Sequence, residues 1–423
     1  MQSDTVFISR WRFLLRRLTR QLWFRATLIA LLAVVAAWAS FVIAPYLPSG
    51  LSATIGADSV DRILQIIASS MLAVTTFSLS TMVAAYSAAT SNVTPRATRL
   101  LIEDTESQNM LAAFVGSFLY SLVAIITLSM GAYGERGRVV LFAVTILVIL
   151  IVVGTLLRWI DYVSKLGRVG ETTEQVEHAA TDAMRGRFTR PFLGGLPLAD
   201  PVSSIPDGAM PIFASVIGYV QHVDMGALSE AARSGSGAVY LVAPPGTFVD
   251  AKRPVAWCTG LASREALDRI RTAVTIDDER SFDQDPRFGL SVLAEIACRA
   301  LSPGINDPGT AIDVVGRAVR VLSIWADPDE RKEPIYPEVH VTAITADELF
   351  DDVFMPIARD GAGIAEVQIR LQKALAALAR LGRDDYREAA IRQSRHALAR
   401  AEAAMAFEGD IARVKAAAEA VGG

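Results

Sequence analysis

Ser69, Thr76, Ser80, Ser87 and Ser91 fall on one face of a helix when the chain is stepped by threes and fours, with Ala73 and Ala84 between them. A face of hydroxyls without bulky side chains can do two kinds of work in a membrane. It can let a neighbouring helix approach closely while the hydroxyls bond across it or back to their own carbonyls. It can also line a water-filled path without a fixed charge. Packing is the commoner use and the conduit the sharper one. No Asp, Glu, Lys or His stands inside the apolar stretches, which argues against a proton relay or a charge-coupled pump.

Two polar clusters follow later in the chain. Residues 276–286 gather Asp277, Asp278, Glu279, Arg280, Ser281, Asp283, Gln284 and Asp285. Calcium is the tempting ligand, but neither the mid-loop glycine nor the closing glutamate of an EF-hand falls in place in any register. Arg280 among the carboxylates points to internal ion pairing instead. In the run from Ser302 to Thr310, the side chains of Ser302, Asn306, Asp307 and Thr310 and the free amides of a helix start could hold an anion. The heavier reading is a tight helix–helix connection, with Gly304 stopping one helix, Asp307 capping the next and Pro308 in its first turn.

Other chemistry lacks support. His178, His222, His340 and His396 are scattered without metal spacing, and no P-loop, GxGxxG, GxSxG or HExxH occurs. Cys258 and Cys298 read as buried residues, and two cysteines make no disulfide framework. No catalytic, cofactor-binding or metal-binding residue is assigned, and no enzyme or cofactor is expected.

The elements that carry these clusters follow from composition. The chain has 423 residues, 52% hydrophobic and 20% charged, with a mean hydropathy of +0.35, too apolar for an ordinary soluble enzyme. Residues 1–160 hold 12 Lys/Arg against 7 Asp/Glu, and residues 161–423 hold 29 against 38. A basic, apolar first part therefore joins an acidic second part. With a pI near 5.7 and no basic stretch with interleaved aromatics beyond the N-terminus, nucleic acid is not an expected partner.

Four uncharged stretches predict spans at about 24–47, 64–88, 110–130 and 139–159, each close to the ~20 residues that cross a bilayer. The first apolar run is too long for a cleaved signal peptide. Arg10, Arg12, Arg16, Arg17, Arg20 and Arg25 precede it and favour a cytoplasmic N-terminus, and the later loops favour both termini inside. Trp11, Phe13, Leu14, Leu18, Leu22 and Trp23 share a helix with those arginines, which suits an interfacial helix on anionic lipid as well as a simple topology signal. Thr94 and Pro95 begin a short helix between the second and third spans, and Gly116, Ser117 and Ser121 suit packing of the third span on the second.

Beyond the spans, residues 161–190 predict a helix leaving the membrane, and the prolines of 192–211 a linker. Strands are expected at 217–224, 239–242, 247–249 and 255–259, with Asp224 capping a short helix between the first two. That order resembles the barrel-sandwich half of biotinyl/lipoyl-type domains, without a lysine in a swinging-arm setting. Helices are expected at 264–274, 288–301, 308–325 and 347–357, a strand at 335–342, and paired helices broken near Gly382 at the C-terminus.

Ser78-Leu79-Ser80, Ser91 to Arg96, Arg280, Gln284-Asp285, Phe288-Gly289-Leu290 and the run Ala300 to Pro308 together resemble the bacterial predicted-membrane-protein family called domain of unknown function 2254. Ser281 stands where that pattern has Thr, and Gly309 follows Pro308. The resemblance covers nearly the whole chain. It implies a bacterial inner-membrane protein and brings no established activity.

The expected architecture is an α-helical integral membrane protein with four transmembrane helices and a mixed α/β cytoplasmic domain, its β part small and barrel-sandwich-like. The expected segments are an amphipathic helix (1–23), the spans (24–160), a juxtamembrane helix and linker (161–211), a β-rich subdomain (212–262) and a mainly helical subdomain (263–423). The leading functional expectation is a homo-oligomeric channel or transport-like protein, with Ser69, Thr76, Ser80, Ser87 and Ser91 along the path and a small ion as partner. The alternative is a membrane-anchored sensor or scaffold whose cytoplasmic domain binds a small ligand or partner, with Arg280, Gln284, Asp285, Ser302, Asn306 and Asp307 as the motif to examine.

Overall fold

Three long helices carry the apolar stretches in the computed structural model, which describes residues 57–130, 135–260, 264–325, 333–381 and 383–422 and seven helical positions between 24 and 38. They are α1 (Ala57–Asn92), α3 (Thr105–Ser129) and α4 (Glu135–Lys165), with the short α2 (Pro95–Ile102) between the first two. Each is long and apolar enough to cross a membrane. The expected first span at 24–47 and the amphipathic helix at 1–23 lie outside the described residues, apart from those seven positions. The helices overrun the expected limits because polar residues extend them at both ends. Asp104, for example, caps α3 by accepting from the Ser107 amide at 3.0 Å.

Within this unit Ile67, Met71 and Met82 of α1 pack with Met110, Leu111 and Phe114 of α3 and with Val152 and Trp159 of α4. Tyr120 is buried and its hydroxyl lies 3.0 Å from that of Thr145, so each polar group has a partner away from water. Among the described residues the apolar side of α1 makes this packing, and Ser69, Thr76, Ser80, Ser87 and Ser91 are exposed. The helix expected over 161–190 is broken after Lys165: Gly167 takes φ +80, a conformation glycine adopts without strain, with Ala85 backbone 3.4 Å from where a Cβ would sit. α5 (Val169–Thr189) then begins.

Residues 92–97 and the chain from Thr172 onward form a second compact unit. Its elements are β1 (Leu196–Leu198), α6 (Pro201–Ser204), β2 (Met210–Phe213), β3 (Gly218–Val223), α7 (Met225–Ser234), β4 (Val239–Leu241), β5 (Phe248–Val249), β6 (Pro254–Cys258), α8 (Arg264–Ala273) and β7 (Val274–Asp277). They continue with α9 (Pro286–Ala300), α10 (Pro308–Trp325), β8 (Val339–Thr342), α11 (Ala346–Asp360), α12 (Ala365–Ala379), α13 (Asp384–Ala404) and α14 (Glu408–Gly422). Asp224 caps α7 through the Ala227 amide at 3.0 Å, as its position before the helix predicts.

The strands form two sheets, in the orders β1-β8-β4-β6-β2 and β5-β3-β7. β8 pairs parallel with both β1 and β4, placing His340 opposite Leu196 on one side and Tyr240 on the other. A barrel-sandwich is therefore not what these strands make. β3 leaves its sequence neighbours to pair with β5 and β7, and β8 arrives from far along the chain to lie between β1 and β4 in the larger sheet. The stretch read as a linker supplies one edge strand of that sheet, β1, and the start of the other, β2. The buried core lies between sheets and helices, with Val220, Leu228, Val239, Leu241, Val255, Ile270 and Val341 fully or almost fully enclosed.

The helical part closes around Phe350, Phe354 and Tyr386. Tyr386 is 5.1 Å from Phe350, ring to ring, and its hydroxyl donates to the Leu322 carbonyl at 3.0 Å. Three C-terminal helices are present where a pair was expected, because the chain breaks again at residues 405–407 without a Gly or Pro to mark it.

Candidate ligand cleft

Arg280 and Asp285 meet as the charge pattern predicts. The guanidinium donates twice to the carboxylate, at 2.8 and 3.0 Å. Asp285 is buried and also caps α9 by accepting from the Phe288 amide at 3.2 Å. Burial raises its pKa, and Arg280 and the cap oppose that shift. Gln284 is buried beside it and accepts from the Val223 amide at 3.0 Å, fixing the loop to β3. On the far side, Gly246 turns with φ +94 so close that a Cβ there would stand 2.6 Å from Cγ of Asp285. These residues lock the loop, β3, the 244–246 turn and α9 together.

Ser302, Asn306 and Asp307 form a separate loop at the opposite end of α9. Asp307 caps α10, accepting from the Thr310 amide at 3.1 Å and the Thr310 hydroxyl at 2.6 Å. Those bonds lower its pKa. Gly304 plays no stopping part: α9 ends at Ala300, and the left-handed residue of the turn is Asn306, at φ +50. The stripe residues Ser69, Thr76, Ser80, Ser87 and Ser91 are exposed. Ser69 donates to the Gln65 carbonyl at 2.9 Å, Thr76 to that of Leu72 at 3.0 Å and Ser80 to that of Thr76 at 3.0 Å.

A cleft of about 1090 Å³ opens elsewhere in the α/β unit. Its walls come from residues 187–197, from Trp325, from 333–335, from 342–347 and from Arg383, Asp385 and Glu388. Three features shape it. The chain leaving α5 makes a tight turn in which Phe192, Leu193 and Gly194 all have positive φ, at 52, 59 and 85, a costly conformation for the first two that persists only where surroundings enforce it. The N-terminus of α11 forms a second wall, held by a capping box between Thr345 and Glu348. Arg187 forms part of the third. It is 3% exposed, and its Nη1 has no hydrogen-bond partner among the described residues. Burial pushes its pKa down to about 10, and the Asp285 charge works against that.

The cleft wall is tied to the rest of α9. Arg287 pairs with Glu348 and donates to Asp352 at 2.6 and 3.2 Å, joining α9 to α11. Two turns further along α9, Glu295 accepts the Thr94 hydroxyl at 3.0 Å and pairs with Arg96. Sequence reading missed the cleft and Arg187 alike. Its walls are far apart along the chain, and neither Phe192 nor Leu193 carries a turn signal.

A family model described as Predicted membrane protein (DUF2254) matches residues 19–377. The uncharacterized protein Mb1321c of Mycobacterium bovis is 27% identical over 273 residues, covering 62% of this chain and 52% of its own length. The uncharacterized protein Rv1290c of Mycobacterium tuberculosis shows the same identity and coverage. The chain thus spans about half the length of the curated relatives it matches. No solved structure matches it.

Proposed function

This chain belongs to the DUF2254 family of predicted membrane proteins, and we propose that its α/β unit is a membrane-anchored sensor that takes a small, largely apolar molecule into the cleft. The observation that carries this reading is the cleft itself. Its volume of about 1090 Å³ slightly exceeds the usual ~300–1,000 Å³ of ligand sites, and it combines aromatic and proline walls with a few convergent polar groups. Occupancy reaches the spans through contacts already described. A ligand bears on the start of α11, Arg287 carries the change to α9, and Glu295 carries it to Thr94 and Arg96. Those residues continue directly from α1. The arginines ahead of the first span favour the cytoplasmic side of a bacterial inner membrane for this unit.

The test uses the full chain in lipid nanodiscs and the emission of Trp325, isolated by comparison with Trp325→Phe. Decanol, decanoate, decyl phosphate and decyltrimethylammonium are the probes. At least one should shift the Trp325 signal saturably, and Ile344→Trp, which fills the cleft, should abolish the shift. If no probe produces a shift that depends on both residues, the sensor reading fails.

A second reading is kept for one observation, the exposure of the whole Ser69–Ser91 stripe. Polar atoms on a lipid-facing surface are costly, so a second copy of the chain or water is the natural neighbour for that face. A homo-oligomer with the stripe at its axis would make it a conduit, and the hydroxyls' bonds to their own backbone suit packing equally well.

A further inference from the structure

Arg187 is a buried charge on the wall of the cleft. Asp285 is a carboxylate whose charge reaches Arg187, but Arg280 occupies both of its oxygens, at 2.8 and 3.0 Å. Arg187 is left 3% exposed on the cleft wall with Nη1 unbonded among the described residues. A buried guanidinium without a full set of acceptors is costly, and an anionic group is the partner that offsets it best.

The remaining charges on the wall do not supply that anion. Asp385 is taken by Arg383, at 2.6 and 2.9 Å, and Asp347 by Arg392, at 2.9 Å. Glu333 and Glu388 are exposed to water at the rim. Two helix N-termini also face the cleft. That of α11 contributes Thr345 and Ala346, and that of α13 has Arg383 as its N-cap, which makes no side-chain cap bond, while Asp385 accepts from the Tyr386 amide at 3.0 Å. Both ends place partial positive charge toward the cavity. The apolar part of the wall is Phe188, Phe192, Trp325, Pro334, Ile335 and Ile344.

We infer that the cleft takes an anionic amphiphile, an alkyl body carrying one carboxylate or phosphate group, with the anion held by Arg187 and the body against the aromatic and proline wall. This rests on the sensor reading and names the chemistry of its ligand. The headgroup can come from a fatty acid or from a phosphorylated lipid.

The test compares affinities by Trp325 emission in nanodiscs for decanoate, decyl phosphate, decanol, decyltrimethylammonium and inorganic phosphate. An anionic probe should bind at least about tenfold tighter than decanol and decyltrimethylammonium, the scale expected of a charge-assisted hydrogen bond. Whichever of decanoate and decyl phosphate binds tighter identifies the headgroup. Arg187→Met should bring the anions down to the level of decanol and leave decanol unchanged. If Arg187→Met does not fold, the wild-type ranking decides alone. Equal binding of the four alkyl probes overturns the inference and leaves the sensor reading standing. Inorganic phosphate binding as tightly as decyl phosphate overturns the amphiphile assignment. Binding by no probe removes both.

Discussion

Thr94 donates its hydroxyl to Oε2 of Glu295 across 3.0 Å, although the two residues stand 201 positions apart. Thr94 directly follows the first described span, and Glu295 lies on the helix that Asp285 caps. With Arg96 on the same carboxylate, Glu295 holds two residues of the connector between α1 and α2.

Glu295→Ala should release that fastening. Arg96 is well exposed, so its part is small. The loss should be about 1 kcal/mol, or roughly fivefold faster amide exchange over residues 92–102. Unchanged exchange there would mean the connector is held by something else.

Glu177 of α5 accepts from Arg317 at 2.7 Å and from Arg320 at 2.6 and 2.9 Å. Burial alone would raise its pKa, but the two arginines hold it below the ordinary glutamate value. A lowered folded pKa means the stabilisation is complete above the unfolded value of about 4.3 and disappears as pH falls through the folded one. Glu177→Gln should therefore cost about 1.5–3 kcal/mol at pH 7. The gap between its melting temperature and that of the wild type should close in acid. A gap that stays constant down to pH 3 would contradict the assignment.

Gly289 faces Ala180 so closely that an added Cβ would lie 2.7 Å from Ala180 Cα. Gly289→Ala should push α9 from α5 and cost about 1–3 kcal/mol by overpacking. Ala180→Gly in the same chain should recover part of the loss in a thermal melt. No recovery would place the damage elsewhere.

Asp307→Ala should cost about 0.5–2 kcal/mol, the usual loss of a helix cap, and leave Trp325-detected probe binding unchanged. Loss of binding without loss of stability would make the Ser302–Thr310 loop a ligand site after all.

Thr76→Leu and Ser80→Leu place large side chains on the exposed stripe. If that face packs against another copy, both variants should change the elution profile of the purified protein. Ion flux in wild-type liposomes, reduced by the leucines with the elution profile intact, would favour the conduit.

What was legible in the sequence was local. Asp224, Asp285 and Asp307 stand just ahead of helices, and each caps the helix that follows. Arg280 among carboxylates pairs with one of them because a short loop offers few other partners. The described spans were plain from their lack of charge. Long-range pairing was not legible. Val339–Thr342 reads as a strand anywhere, and nothing in its composition says that it enters between β1 and β4 in parallel. The cleft suffers from the same limit, since residues near 190, 335, 345 and 385 become neighbours only after the chain has folded. Arg187 looks like any solvated arginine on a polar helix until its burial is seen.

Coupling between the cleft and the connector after α1 runs, on the proposed reading, through α9. Ile344→Trp puts an indole into the cleft without any ligand, and hydrogen exchange over residues 92–102 of the full chain in nanodiscs reads the other end. Ile344→Trp should change exchange there, and should not when Glu295→Ala is present in the same chain. Exchange over 92–102 identical in wild type and Ile344→Trp would contradict that reading.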